Sequence, residues 1–276
     1  MKKALFVVFV LINVSLNAQY YYRDIVLSGK NSDLWQTYKI NGIKKVTITS
    51  HDPDGSLTEG FNGEQIIAKD YSTINTLTAG LNEGQSLLET TYSNTGKIIK
   101  TLDSSEGYSS HTRYQYDESG KLVSQESETF IEGKPGEVEK RQWFYGENGT
   151  PSKMIRTKNG TDETIVTFVP DEKGNVGEEN STRGGIPLQS VYYYYDNVNR
   201  LTDVVRYSRQ AKRLLPDYMF EYDMKGKITS MVVVPEGSDD YQRWIYEYEG
   251  NNLKKSESCF DKRKKLLGRI EYTYSN

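Results

Sequence analysis

Cysteine is nearly missing from this chain. Cys259 stands alone, so an internal disulfide is excluded and stability has to come from packing and hydrogen bonds. Histidine is almost as scarce: His51 and His111 are the only two, and neither sits in a spacing that assembles a metal site. No G-x-S-x-G stands ready for a serine nucleophile, and Cys259 has no histidine at a recognised distance in sequence. Excess positive charge is lacking as well. The formal charge is -3, with 35 Lys and Arg against 38 Asp and Glu, which argues against nucleic acid as a partner. Beyond the N-terminus there is no long apolar run, and no dozen-residue stretch combines an apolar 3.6 period with capping signals, so helices are expected to be scarce.

The N-terminus is the one strongly apolar place. Lys2 and Lys3 precede an apolar run from Ala4 to Leu11, Ile12 and Val14, and Leu16-Asn17-Ala18 supplies small residues ahead of Gln19. That order predicts a signal peptide over residues 1–18, cut after Ala18. The run is short of the ~20 residues of a membrane span. No cysteine lies at the cut to carry a lipid. A secreted or periplasmic mature chain, 19–276, with no integral membrane segment is therefore expected, and loss of Lys2 and Lys3 brings its charge to -5.

What the sequence has in quantity is tyrosine and glycine, 22 and 23 residues, against 7 prolines. They fall in a repeat. Tyr116-Asp117-Glu118-Ser119-Gly120-Lys121-Leu122 recurs as Tyr222 to Ile228 and as Tyr195 to Leu201, with Tyr92 to Ile98 carrying Ser93 in place of Asp. Weaker copies begin at His51, Tyr71, Tyr145 and Pro170, and a unit at Tyr248 reads as one residue short. The turn residues then stand at 55, 75, 96, 120, 149, 174, 199 and 226. Such a unit encodes a hairpin with a three-residue loop, whose last position is left-handed and takes Gly or Asn. The loop sets Tyr116 opposite Leu122, Tyr222 opposite Ile228, and Asp117 and Asp223 opposite Lys121 and Lys227.

Alternation fixes the faces. Aromatic residues two apart at Tyr114/Tyr116, Trp143/Tyr145, Tyr193/Tyr195, Phe220/Tyr222, Tyr246/Tyr248 and Tyr272/Tyr274 share one buried face, with mostly polar residues between them. Looser turns lie between the tight ones, near Gly107, Gly133, Gly160, Gly184-Gly185, Leu215-Pro216 and Gly237. The expected fold is all-β: tandem antiparallel hairpins of about sixteen strands forming one long curled meander sheet or partial shell, in a single domain whose repeats are clearest from 46 to 276.

The unit Y-D-x-x-G-[KR]-[LI] resembles the YD repeat of Rhs-type proteins and teneurins, whose hairpins wind into a hollow β-shell. The resemblance implies a shell-like scaffold. Long members enclose a toxic C-terminal domain or present an adhesive surface; this chain runs into a strand at Arg269 to Tyr274, so a scaffold or binding role is what the resemblance leaves.

Candidate chemistry is thin. Asp52-Pro53-Asp54-Gly55 resembles the start of a calcium loop, but its twelfth position is Gly63, where a bidentate Glu is needed. Glu178-Glu179 and Asp239-Asp240 are read as solvated loop charge instead of a glycosidase pair. His51, in a Tyr position, is read as a packing residue. Tyr192 and Tyr194 are the candidate ligand-binding residues, because one strand there carries aromatics on both faces; cover by a loop or neighbouring strand is the competing account. No catalytic residue, metal or cofactor is expected. The function expected is a non-enzymatic repeat scaffold that binds a protein or glycan of the cell envelope through its variable tips, with carbohydrate binding through exposed aromatics as the alternative.

Overall fold

The computed structural model describes residues 19–81, 84–208, 212–235 and 240–276. The signal-peptide expectation for residues 1–18 thus lies outside the described residues, as does Asp239. The chain forms β1 (Lys45–His51), β2 (Asn62–Ile67), β3 (Thr73–Gly80), β4 (Gly84–Tyr92), β5 (Ile98–Ser105) and β6 (Tyr108–Tyr116). It continues with β7 (Leu122–Ile131), β8 (Lys134–Tyr145), β9 (Pro151–Lys158), β10 (Asp162–Pro170), β11 (Val176–Arg183) and the two-residue β12 (Ile186–Pro187). Then follow β13 (Val191–Tyr195), β14 (Leu201–Ser208), β15 (Arg213–Tyr222), β16 (Ile228–Val233), β17 (Gln242–Tyr248), β18 (Lys254–Asp261) and β19 (Leu266–Ser275).

Consecutive strands pair antiparallel, except that β12 and β13 both pair with β11, and β1 pairs with β19 over seven residues, Lys45↔Ser275 to His51↔Arg269. The sheet is therefore a closed 18-stranded barrel, with β12 in line with β13 along the flank of β11. An all-antiparallel ring closes only on an even number of strands, because neighbours alternate in direction. The open meander or partial shell expected from the repeat is overturned. Closure removes the two unpaired edges that an open sheet would expose.

The turn chemistry holds in detail at one rim. Left-handed residues stand at Gly96, Gly120, Gly149, Gly174, Asn199 and Gly226, and the register places Tyr116 opposite Leu122 and Tyr222 opposite Ile228. Two units are corrected. Asn75 lies inside β3, and the left-handed position of that turn is Tyr71, held by Tyr71 N donating to the Ala68 carbonyl. The Tyr248 unit is of full length, with Asn252 left-handed and Tyr248 opposite Lys254. The Gly55 turn, by contrast, sits at the other rim. Leu215-Pro216 is no turn: both lie within β15, beside a bulge between Val204 and Val205.

The motif's charged pair works across repeats. The Asp117 carboxylate accepts the backbone N–H of Lys121 at 2.9 Å, and Asp223 accepts those of Lys225 and Lys227 at 2.8 Å, closing the turn on itself. The basic side chain lies over the tyrosine of the following repeat, Lys97 over Tyr116, Lys121 over Tyr145, Arg200 over Tyr222 and Lys227 over Tyr248, at 4.8–5.9 Å, and Arg200 also pairs with Asp196 of its own turn at 2.7 Å. That tyrosine in turn donates its hydroxyl to the carbonyl of the preceding repeat's apolar residue, Tyr145 to Leu122 at 2.7 Å and Tyr222 to Leu201 at 2.6 Å. Hairpins that carry both residues are thus latched to the preceding one.

Inside this rim lies a helix that the periodicity did not show. A π-helical segment, Tyr21–Val26, runs into α1 (Leu27–Ile40). Trp35 is buried against Tyr92, donates its Nε1–H to the Tyr71 carbonyl at 2.7 Å, and fits where Gly96 has no side chain: a Cβ there would lie 2.4 Å from the indole. Tyr38 is buried and donates to Gln65 at 2.7 Å. Gly29, Asp33, Gln36 and Ile40 form the exposed stripe, so α1 closes the mouth with its other side in the aromatic core. This plug occupies the repeat-turn rim, with a cavity of about 360 Å³ left between it and the turns at Gly120, Gly149 and Gly174.

Candidate functional site

Side chains alternate in and out of the barrel, and the inward set changes character along its axis. Near the repeat turns it is apolar: Tyr92, Leu122, Trp143, Met154, Val166, Phe168, Tyr193, Leu201 and Phe220 form the core with the plug. Toward the opposite rim the inward positions become hydroxyls. Thr78 and Ser86 share a hydrogen bond of 2.7 Å, Ser110 and Ser127 one of 3.2 Å, and Thr112 donates to Ser127 at 3.1 Å. Thr76, Thr101, Asp103 and Thr129 face the same space by register, and all four are half-buried. The result is a polar basin reached from the loose-turn rim.

The floor of the basin is ionic. Asp24, on the π-helical segment, accepts from Arg141 at 2.6 Å; Arg141 pairs with Glu139 at 2.5 Å, and Glu139 with Arg156 at 2.6 Å. Burial opposes ionisation of Glu139, but the two guanidinium groups outweigh it and hold the carboxyl below its ordinary range. Asp24 is pushed the other way, because its burial exceeds what Arg141 returns. Asp24 Oδ2, Gln125 Oε1, Thr164 Oγ1 and Ser181 Oγ are buried without a hydrogen-bond partner among the described residues. Buried polar atoms of this kind take hydrogen bonds from water or from a ligand.

Two further buried charges hold the start of the plug. Arg206 forks onto Asp217 at 2.5 and 2.6 Å, and Gln19 Nε2 donates to the same carboxylate at 2.5 Å. Glu179, fully buried, accepts the backbone N–H of Gln19 at 2.7 Å, Tyr20 at 3.1 Å and Tyr21 at 3.0 Å, and the Tyr193 hydroxyl at 2.7 Å. It caps the helical segment from a strand 160 residues away, where the local sequence offers no capping side chain. The reading of Glu178-Glu179 as loop charge is corrected here: both lie in β11, Glu178 facing out and Glu179 in. Period two within a strand separates two adjacent identical residues.

The remaining candidates fall elsewhere. Tyr192 is half-buried and Tyr194 is 46% exposed, both on the outer face, so no strand or loop covers Tyr194. His51 stands at the loose-turn rim with Nε2 3.4 Å from Glu271, and His111 packs on Phe130 on the outer face. Asp52 and Asp54 accept hydrogen bonds from Thr58 and Ser56 within their own turn. Asp240 pairs with Lys262 at 2.5 Å. Cys259 is buried beside Trp244 in β17–β18, and burial pushes its thiol up to about 12. Gly184 and Gly185 are turn residues, as read. No cluster of three potential metal-ligating side chains occurs among the described residues. The ionic floor, the hydroxyl walls and Glu179 were missed from sequence; the one signal available was the inward parity of Thr and Ser on strands whose other ends carry the aromatic pairs.

No family model matches the chain, and no curated protein does. Among solved structures, a Tc holotoxin pore from Photorhabdus luminescens aligns over 78% of this chain and 12% of its own, at 13% identity and TM-score 0.35. The TcdB2–TccC3–Cdc42 complex aligns over 81% of this chain and 18% of its own, at 11% identity and TM-score 0.31. A porin-like protein from Bacteroides uniformis aligns over 84% and 98%, at 9% identity and TM-score 0.40. This chain therefore spans about an eighth of the holotoxin chain that it is similar to. The class that its own geometry defines is a closed antiparallel β-barrel with a helical plug at one rim and a polar basin at the other.

Proposed function

We propose that this protein is an exported, non-enzymatic binding barrel in which wall and plug form the scaffold, and the basin with its loose-turn rim receives a partner of the cell envelope. The observation that carries the reading is the floor of unpartnered buried polar atoms beneath hydroxyl-lined walls. Such a surface suits a polar, hydrogen-bonding partner, a protein segment or a glycan, better than an apolar one. The outer face bears Lys140, Glu163, Glu221, Arg243, Glu247 and Lys255, all exposed, where a lipid-facing barrel carries an apolar band. No helix among the described residues is long and apolar enough to cross a membrane.

The test is capture by immobilised mature chain from solubilised envelope protein and from purified envelope polysaccharide. Binding that is lost in Ser127→Arg and Thr101→Arg, which fill the basin, and kept in the outer-face change Lys140→Glu supports the reading. No capture, or capture indifferent to the basin, removes it. Carbohydrate recognition on the outer face is the second reading, favoured by the exposure of Tyr194; a glycan array with Tyr192→Ala and Tyr194→Ala separates the two surfaces.

A further inference from the structure

We propose that the mature chain begins at Gln19 and that its free α-ammonium group is a buried structural cation, paired with Glu179 inside the barrel. This rests on the export reading with its expected cut after Ala18, and adds to it what the new terminus does. Three features of the described residues converge on that atom. The Gln19 nitrogen already lies 2.7 Å from Glu179 Oε1 and the residue is fully buried. Glu179 is fully buried too, yet its partners are three backbone N–H groups and the Tyr193 hydroxyl, with no Lys or Arg in ion-pair contact among the described residues. The other carboxylates around the plug each have an arginine: Asp24 and Glu139 share Arg141, and Asp217 has Arg206. Glu179 is the exception, and a buried carboxylate without a cation is costly.

The backbone makes the third point. Gln19 has φ +73, a left-handed conformation that side chains other than Gly rarely adopt. Once no carbonyl precedes Gln19, φ ceases to be a constrained angle and the strain disappears. The chemistry is hydrolysis by an export peptidase: water adds across the bond from the Ala18 carbonyl carbon to the Gln19 nitrogen, Ala18 leaves as a carboxylate, and the nitrogen becomes an ammonium. The sequence places small residues at this bond for such an enzyme. The Gln19 side chain is held as well, since its Nε2 donates to Asp217 while its backbone nitrogen faces Glu179. Those two anchors keep the amide carbon away from the amine and oppose closure to the neutral lactam that terminal glutamine otherwise forms with loss of ammonia.

The experiment takes the full chain expressed with export, followed by intact mass and N-terminal sequencing. The expected species starts at Gln19 with a free amine. Retention of Met1 would defeat the export reading and this inference together; a cut at another bond, or a mass lacking ammonia, overturns this inference and leaves export standing. An α-amine-selective acylating reagent should label Gln19 in urea and leave it unlabelled in the folded protein, and equal labelling rates in the two states overturn the buried pair. A two-by-two urea-unfolding comparison then sets Glu179→Gln against one extra residue ahead of Gln19. In the mature chain Glu179→Gln should lower the folding constant roughly a hundred-fold or more, and in the extended chain only a few-fold. Equal losses in both would make Glu179 a helix cap alone. If Glu179→Gln does not fold, the labelling result on the unaltered chain decides.

Discussion

The two rims of the barrel are built from the same strands and obey different rules. At the repeat-turn rim, hairpins are tied to their neighbours by tyrosine hydroxyls, as at Tyr145 and Tyr222, and by cations over rings, as at Lys121 and Arg200, and a helix fills the space within. At the loose-turn rim the connections vary in length and conformation, the inward side chains are hydroxyls and ions, and solvent reaches them. The difference teaches that the repeat encodes only one end of the molecule. Regularity belongs to the plugged end and variability to the open one, in line with the general tolerance of connecting segments for change.

The comparison can be broken by substitutions of graded effect. Trp35→Ala removes the largest side chain joining plug to wall and is expected to cost about 3–5 kcal/mol, read by urea unfolding. A loss below about 1 kcal/mol would mean that the plug is not integral to the plugged end. Gly96→Ala and Gly226→Ala have the same left-handed backbone, φ +80 in both, but only the former collides with an indole. Gly226→Ala should cost about 1 kcal/mol and Gly96→Ala at least about twice that.

Lys30 gives a pH-dependent contrast. Burial above Phe220 lowers its ammonium from the ordinary 10.5 to about 8. Between those values the unfolded chain binds a proton that the folded chain has released, so stability attributable to this group rises with pH across the window. Lys30→Met should therefore be more stable than the parent by about 1–2 kcal/mol below pH 8, with the advantage fading toward pH 10.5. A constant difference across that range would place Lys30 in water. The smallest effect is expected at the open end, where Ser127→Ala removes two wall hydrogen bonds at a half-buried site and should cost about 0.5–1 kcal/mol, leaving the fold intact for binding assays.

Legibility from sequence divides along the same line. Tyr116 facing Leu122 and Gly120 in the left-handed region follow from local rules, because turn type, bulge and face are set within seven residues. Trp143, Tyr193, Phe220 and Tyr246 are buried, as the two-residue alternation predicts. Tyr71 was hidden because a tyrosine occupies a left-handed position that glycine signals elsewhere. Helix α1 was hidden for a different reason: with Gly29 within it and a cap supplied by Glu179, its stability comes from the barrel around it. Ring closure is not local at all. Nothing near Val46 or Tyr274 announces that they face each other, and the count of about sixteen strands fell short because neither the reversal between β3 and β4 nor the Lys264 turn carries the motif.

The pairing of β1 with β19 also sets a clock. The first strand has no partner on one side until Leu266–Ser275 has emerged, so hairpins made early must wait with an unsatisfied edge while the last ones arrive. A chain carried unfolded across a membrane and released whole would meet both halves of that seam at once. Removal of the final ten residues should accordingly do more than shorten the sheet: it would leave two open edges able to join other chains end to end, turning a closed ring into a polymerising unit.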